Sequence, residues 1–203
     1  MKKHLLLLLL LLTACLSAKA DVYLIDASAT TEGAQITYRN QTFTVGTTAF
    51  SSFAGLTAVS VPENSTIYVA PGTYSGGTLS VSGLKVLGAN AYCDWTATRS
   101  DESTINGDLT LNASNIEVNG FAFTGAGRIV ANSATNAEPI SSIKISYNYF
   151  SGSTVVRNDN SYIVYIGTRY NDATANSTES QCRYRDTEVS HNHFEGSSTH
   201  LAH

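Results

Sequence analysis

Three stretches of this chain repeat one ten-residue pattern. They are Ile116-Glu-Val-Asn-Gly-Phe-Ala-Phe-Thr-Gly125, Ile143-Lys-Ile-Ser-Tyr-Asn-Tyr-Phe-Ser-Gly152 and Thr187-Glu-Val-Ser-His-Asn-His-Phe-Glu-Gly196. Aligned without gaps, they share an apolar or Thr start, an aliphatic third place, Phe at the eighth and Gly at the tenth. A short strand-and-turn unit recurring between irregular spacers cannot bury its apolar side alone. It must stack on its own copies, which predicts a solenoid of coils.

The spacing narrows the kind of coil. Repeat starts at 84, 116, 143 and 187 give intervals of 32, 27 and 44 residues. Three short strands with three turns need roughly 20 to 25 residues. The first two intervals therefore read as single coils with insertions, and the third as two coils, with Tyr162–Ile166 in the middle one. Residues 89–102 and 169–186 read as loops thrown out from single coils. The irregular period and the hand of parallel crossovers predict an all-β, right-handed parallel β-helix.

Alternation sets the register. Ile116, Val118, Ile143, Ile145 and Val189 are expected inward, within continuous strands over 116–123 and 143–150. Lys85, Glu117, Lys144 and Glu188 share the second place and face out, stacking as a ladder of alternating sign, which is mildly stabilising. Phe123, Phe150 and Phe194 are expected to stack inside. Asn148 and Asn192 share a place near a bend, where an amide can bond the neighbouring coil.

Residues 1–20 read as an export signal: a basic start at Lys2-Lys3, an apolar run over Leu5–Leu12 and a small-x-small site at Ala18-Lys-Ala20. Leu12-Thr-Ala-Cys15 offers a second reading, lipidation at Cys15. Either way the chain is expected outside the cytoplasm, in periplasm, at the cell surface or extracellular, with membrane contact only through a lipid anchor. Cleavage after Ala20 removes Lys2, Lys3 and Lys19 and leaves 9 basic against 16 acidic residues, net −7. That balance disfavours nucleic acid as a partner. Cys93 and Cys182 remain; export permits a disulfide between them, and two separate thiols fit equally well. Residues 21–65 read as leading strands at Val22–Ile25, Gln35–Tyr38 and Thr42–Val45, followed by a short capping helix over Ala49–Leu56. Residues 66–203 read as the coils.

Chemistry is sparse. There is no hydrolase triad, HExxH or Walker loop, and no catalytic residue is assigned. His191 and His193 have the spacing of metal ligands, but they occupy the places of Tyr147 and Tyr149, so they read as packing or surface positions and no metal is expected on them. Lys144, Arg157, Tyr165 and Arg169 are the candidate carbohydrate-binding residues: basic forks hold carboxylate or sulfate, and tyrosine carries sugar rings. The competing reading pairs the loop arginines with Asp172, Glu179 and Asp186.

Ile67-Tyr-Val-Ala-Pro-Gly-Thr-Tyr74, Asn115-Ile-Glu-Val-Asn-Gly-Phe-Ala-Phe123 and the two Asn-x-Phe-x-Gly coils at 148–152 and 192–196 resemble the pectin-lyase-like β-helix superfamily. More narrowly, Gly72-Thr-Tyr74, Gly167-Thr-Arg169 and His191-Asn-His-Phe-Glu-Gly196 resemble the chondroitinase B and alginate lyase family, although the insert between Arg169 and Thr187 departs from it. The resemblance implies a protein that binds or degrades acidic polysaccharide. It also implies that the catalytic and calcium-holding coils would follow His203, so the chain is expected to be an N-terminal piece of a longer lyase, truncated at its C-terminus, with calcium bound only in the full-length protein. A non-catalytic surface or adhesive β-helix is the alternative.

Overall fold

The computed structural model describes residues 20–94, 96–131, 140–151, 164–166 and 184–195. Residues 1–19, which hold Cys15 and most of the expected export signal, lie outside them, as do Arg157, Arg169 and Cys182. The described chain is all-β and its strands pair mostly in parallel. No helix among the described residues is long and apolar enough to cross a membrane.

The chain opens with β1 (Val22–Ile25), an antiparallel hairpin of β2 (Gln35–Tyr38) and β3 (Gln41–Thr44), and β4 (Ala49–Phe50). The hairpin turn is Arg39-Asn40, both at positive φ (48° and 61°), the backbone that a two-residue hairpin turn requires. Helix α1 is confined to Phe53–Thr57 and starts at Ser52, whose Oγ accepts from the Gly55 amide at 3.2 Å. The expected helix over Ala49–Leu56 is thus shorter. Ala49–Phe50 instead pairs as a strand with β1, because the edge of the first sheet needs a partner more than the segment needs a first helical turn.

From Thr66 the chain visits three sheets in rotation. β5 (Thr66–Val69), β6 (Gly72–Tyr74) and β7 (Gly77–Leu79) begin the three. β8 (Lys85–Leu87), β9 (Ser103–Ile105) and β10 (Asp108–Leu111) pair beside them, then β11 (Glu117–Asn119), β12 (Ala122–Phe123) and β13 (Arg128–Ala131). A short β14 (Ile140–Ser141) precedes β15 (Lys144–Ser146), β16 (Tyr149–Ser151) and β17 (Val164–Ile166). After β18 (Tyr184–Arg185) come β19 (Glu188–Ser190) and β20 (His193–Glu195). The first sheet ends β5-β8-β11-β15-β19, the second runs β6-β9-β12-β16-β20 and the third β7-β10-β13-β17.

The expected ladders are present. Glu117 is the register partner of Lys85 and of Lys144, and Lys144 of Glu188, with Lys144 Nζ 3.7 Å from Glu188 Oε2. Inside, Ile67, Val86, Val118 and Ile145 stack and are fully buried. The rings of Phe123 and Phe150 stack at 4.8 Å, and those of Phe150 and Phe194 at 4.7 Å. Burying each such side chain favours folding by about 1.5–3 kcal/mol.

Three expectations need correction. Direct pairing of Lys144 with Glu188 makes the 44-residue interval a single circuit with a long insertion, and Val164–Ile166 joins β13 in the third sheet rather than starting another coil. Val189 aligns with buried Ile145 yet is 43% exposed, since β19 ends the order of its sheet. The strands over 116–123 and 143–150 each break in two. Gly120, Tyr147 and His191, all at the fifth place of the repeat, take φ of 81°, 58° and 54° and turn the chain from the first sheet into the second. A second ladder of such bends, Gly83, Asn115, Ser142 and Asp186, precedes β8, β11, β15 and β19 of the first sheet.

Buried Asn148 and half-buried Asn192 hold the Gly120-Tyr147-His191 corner. Asn148 Oδ1 accepts from the Phe121 amide at 3.0 Å, and Nδ2 donates to the Val118 carbonyl at 3.1 Å. Asn192 Oδ1 accepts from the Asn148 amide at 2.9 Å, and its Nδ2 donates to the Ile145 carbonyl at 2.8 Å. Each amide thus closes the bend one turn back, as the sequence led us to expect. Asn148→Ala leaves the Phe121 amide and Val118 carbonyl less satisfied in a buried corner. We expect a loss of about 1–3 kcal/mol, read by chemical denaturation, against little change for exposed Asn112→Ala.

Candidate carbohydrate-binding face

The outward side of the first sheet and its corner with the second collect the polar aromatics. Tyr68 projects from β5. Arg39, at the tip of the β2–β3 hairpin, places its guanidinium carbon 5.2 Å from the Tyr68 ring centre and 5.7 Å from that of Tyr38. Arg39 Nη2 donates to the carbonyls of Gly88 (3.1 Å) and Ala89 (2.9 Å), so the hairpin is tied to the start of the loop that follows β8.

That loop brings in Tyr92. Its amide donates to Asn119 Oδ1 at 2.8 Å, and its ring, 55% exposed, meets Tyr147 edge-on at 6.1 Å. Gly120 makes the approach feasible: a Cβ there would lie 2.1 Å from the Ala91 amide nitrogen. Burial first, then the carboxylate of Glu117, push the Tyr92 hydroxyl up to about 12.

Arg99 clamps the far end of the loop. Its side chain is 11% exposed and grips Glu102 with two nitrogens, at 2.8 and 2.9 Å. The same guanidinium donates to the carbonyls of Tyr147 (2.9 Å) and Phe121 (3.2 Å). One side chain therefore joins the loop to two later turns.

Beyond the loop the corner is a column of rings. Tyr147 and His191 stack at 4.9 Å with planes 13° apart, and Tyr149 and His193 at 5.4 Å with planes 11° apart. The Tyr149 hydroxyl also donates to Glu195, which raises its pKa. In each stacked pair one face of either ring is covered by its neighbour. The two histidines sit on either side of the corner, His191 in the bend and His193 in β20. No group of three His, Cys, Asp or Glu able to hold a metal occurs among the described residues.

Of the four candidate residues read from sequence, Lys144 lies on this face, half-exposed and paired with Glu188. Tyr165 lies in β17, in the third sheet, so the two belong to strands of different sheets. Arg157 and Arg169 fall outside the described residues. Arg39, Tyr92 and Arg99 were not singled out as site residues; their roles depend on contacts 22 to 50 residues away for the arginines and 27 for the Tyr92 amide. A cavity of about 290 Å³ opens beside α1, lined by Leu56, Val59, Ile67, Leu79, Val81 and Leu84 among others. It is apolar, and Lys144 is not among the residues that line it.

Comparison of the chain with protein-family models, with curated proteins and with solved structures finds no match.

Two outcomes are expected. Arg99→Ala should speed amide exchange across residues 89–102 by roughly tenfold or more, while exchange in β5 and β8 stays slow. Unchanged exchange in the loop would show that the clamp is dispensable. The raised pKa of Tyr92 favours the folded loop with a neutral phenol. That stabilisation is full below about pH 10 and is lost as pH rises towards 12. Ultraviolet titration of the wild type minus Tyr92→Phe should show a phenol ionising near 12.

Proposed function

We propose that this is an exported, right-handed parallel β-helix that binds polysaccharide. The three parallel sheets visited in rotation support the solenoid part of this reading. The observation that supports the binding part is the set of polar aromatic side chains along one face: Tyr68, Tyr92, Tyr147 and His191, with Arg39, Glu117 and Lys144 among them. Tyrosine offers an apolar ring and a polar tip together, which suits the mixed surface of a sugar.

Backbone preference adds support. Gly120 takes the bend conformation without steric cost, whereas Tyr147 and His191 hold it against the preference of residues with a Cβ. Side chains kept in a sparsely populated conformation cluster at functional sites.

The lyase resemblance adds a role for Lys144, Arg157, Tyr165 and Arg169 in holding an acidic chain. The adhesive alternative uses binding without turnover. Affinity electrophoresis through gels carrying different polysaccharides tests the shared claim. The chain should be retarded by at least one of them, and Tyr92→Ala with Tyr147→Gly should restore free migration. Arg157→Ala with Arg169→Ala tests the acidic groove separately. Migration unaffected by every polysaccharide would reject binding, and release of unsaturated sugar ends would favour the lyase over the adhesin.

A further inference from the structure

We infer that this face takes an uncharged, extended polysaccharide laid along the stacking direction, about one sugar per turn. The inference rests on the polysaccharide reading and adds the orientation and the charge class of the ligand.

The first ground is spacing. Parallel strands in neighbouring turns lie about 4.8 Å apart, and the ring pairs on this face are separated by 4.9 Å (Tyr147–His191) and 6.1 Å (Tyr92–Tyr147). An extended pyranose chain with equatorial linkages advances by a similar step per sugar. Such a chain meets Tyr92, Tyr147 and His191 in succession, whereas a chain lying across the face crosses the corner into the second sheet.

The second ground is the chemistry of the tips. With stacked faces covered, Tyr147 and His191 offer groups that donate and accept, the complement of sugar hydroxyls. Tyr92, 55% exposed, leaves ring surface open for a sugar to stack against.

The third ground is charge. Lys85, Glu117, Lys144 and Glu188 alternate in register, so their fields cancel along the face. Arg99 is held by Glu102 and by backbone carbonyls, and one nitrogen of Arg39 serves the Gly88 and Ala89 carbonyls. The four cations and three carboxylates named here nearly balance, so a polyanion finds little net positive field, and the chain after removal of residues 1–20 carries net −7. Uncharged hydroxyls incur no such electrostatic penalty.

The test is calorimetric titration of the chain with linear neutral oligosaccharides, β-1,4-linked glucose, mannose and xylose, as disaccharides and tetrasaccharides. Polygalacturonate and alginate serve as the acidic probes. We expect a neutral tetrasaccharide to bind roughly tenfold more tightly than its disaccharide. Its Kd should hold between about 0.05 and 0.5 M salt. Tyr92→Ala and Tyr147→Gly should each weaken it roughly tenfold. Tyr147→Gly is chosen because Gly120 already occupies that place one turn earlier, and circular dichroism checks that the fold is kept. Equal affinity for disaccharide and tetrasaccharide would overturn the lengthwise arrangement. Binding of the acidic probes alone, falling steeply with salt, would overturn the uncharged class and leave polysaccharide binding intact. Silence from every sugar would overturn this inference together with the reading it rests on.

Discussion

A parallel strand cannot satisfy its own peptide groups, and its hydrogen-bond partners lie one circuit away in sequence. Every turn of this chain therefore depends on the turns on either side. The same condition reaches into the bends, where backbone direction changes and the regular ladder stops. There Asn148 and Asn192 take over, each amide serving the turn before it. An unmet donor in such a buried corner costs about 1–3 kcal/mol, so parallel sheets joined at polar corners call for one of these side chains where the ladder lapses.

From that constraint the face follows. Turns in register put like places above one another, so one choice of residue repeated every circuit becomes a column. Valine and isoleucine at the third place make an apolar column, and phenylalanine at the eighth makes an aromatic one. The fifth place, forced into the bend, makes an outward column of Gly120, Tyr147 and His191. Where that place is glycine, the loop after β8 packs close and Tyr92 joins the column from outside.

Much of this was legible because a period of two fixes which side chains share a face. The Lys85-Glu117-Lys144-Glu188 ladder, the phenylalanine stack and the amides of Asn148 and Asn192 all came from aligning the repeat. What failed depends on geometry without a local signature. Nothing in Ile143–Phe150 announces that Tyr147 adopts φ 58°, since a tyrosine reads as strand. The 44-residue interval looked long enough for two circuits, and only the pairing of Lys144 with Glu188 shows it is one. Arg99 was unremarkable in a polar loop; its partners Phe121 and Tyr147 are 22 and 48 residues away. The face was half-legible for the same reason: Lys144 belongs to a repeat, while Arg39 and Tyr92 reach it from segments outside the repeat.

The register between turns underlies both the fold and the face, and cross-linking measures it directly. The form beginning at Asp21, with Cys93→Ser and Cys182→Ser, would carry the pair Glu117→Cys and Lys144→Cys, register partners on neighbouring turns. Their Cα atoms, about 5 Å apart in a parallel ladder, suit a disulfide. This pair should oxidise readily and leave the circular dichroism unchanged. Glu117→Cys with Ile145→Cys, displaced by one residue onto opposite sides of the sheet, should stay reduced. Ready closure of the displaced pair, or failure of the aligned one, would contradict the stacking on which the whole account stands.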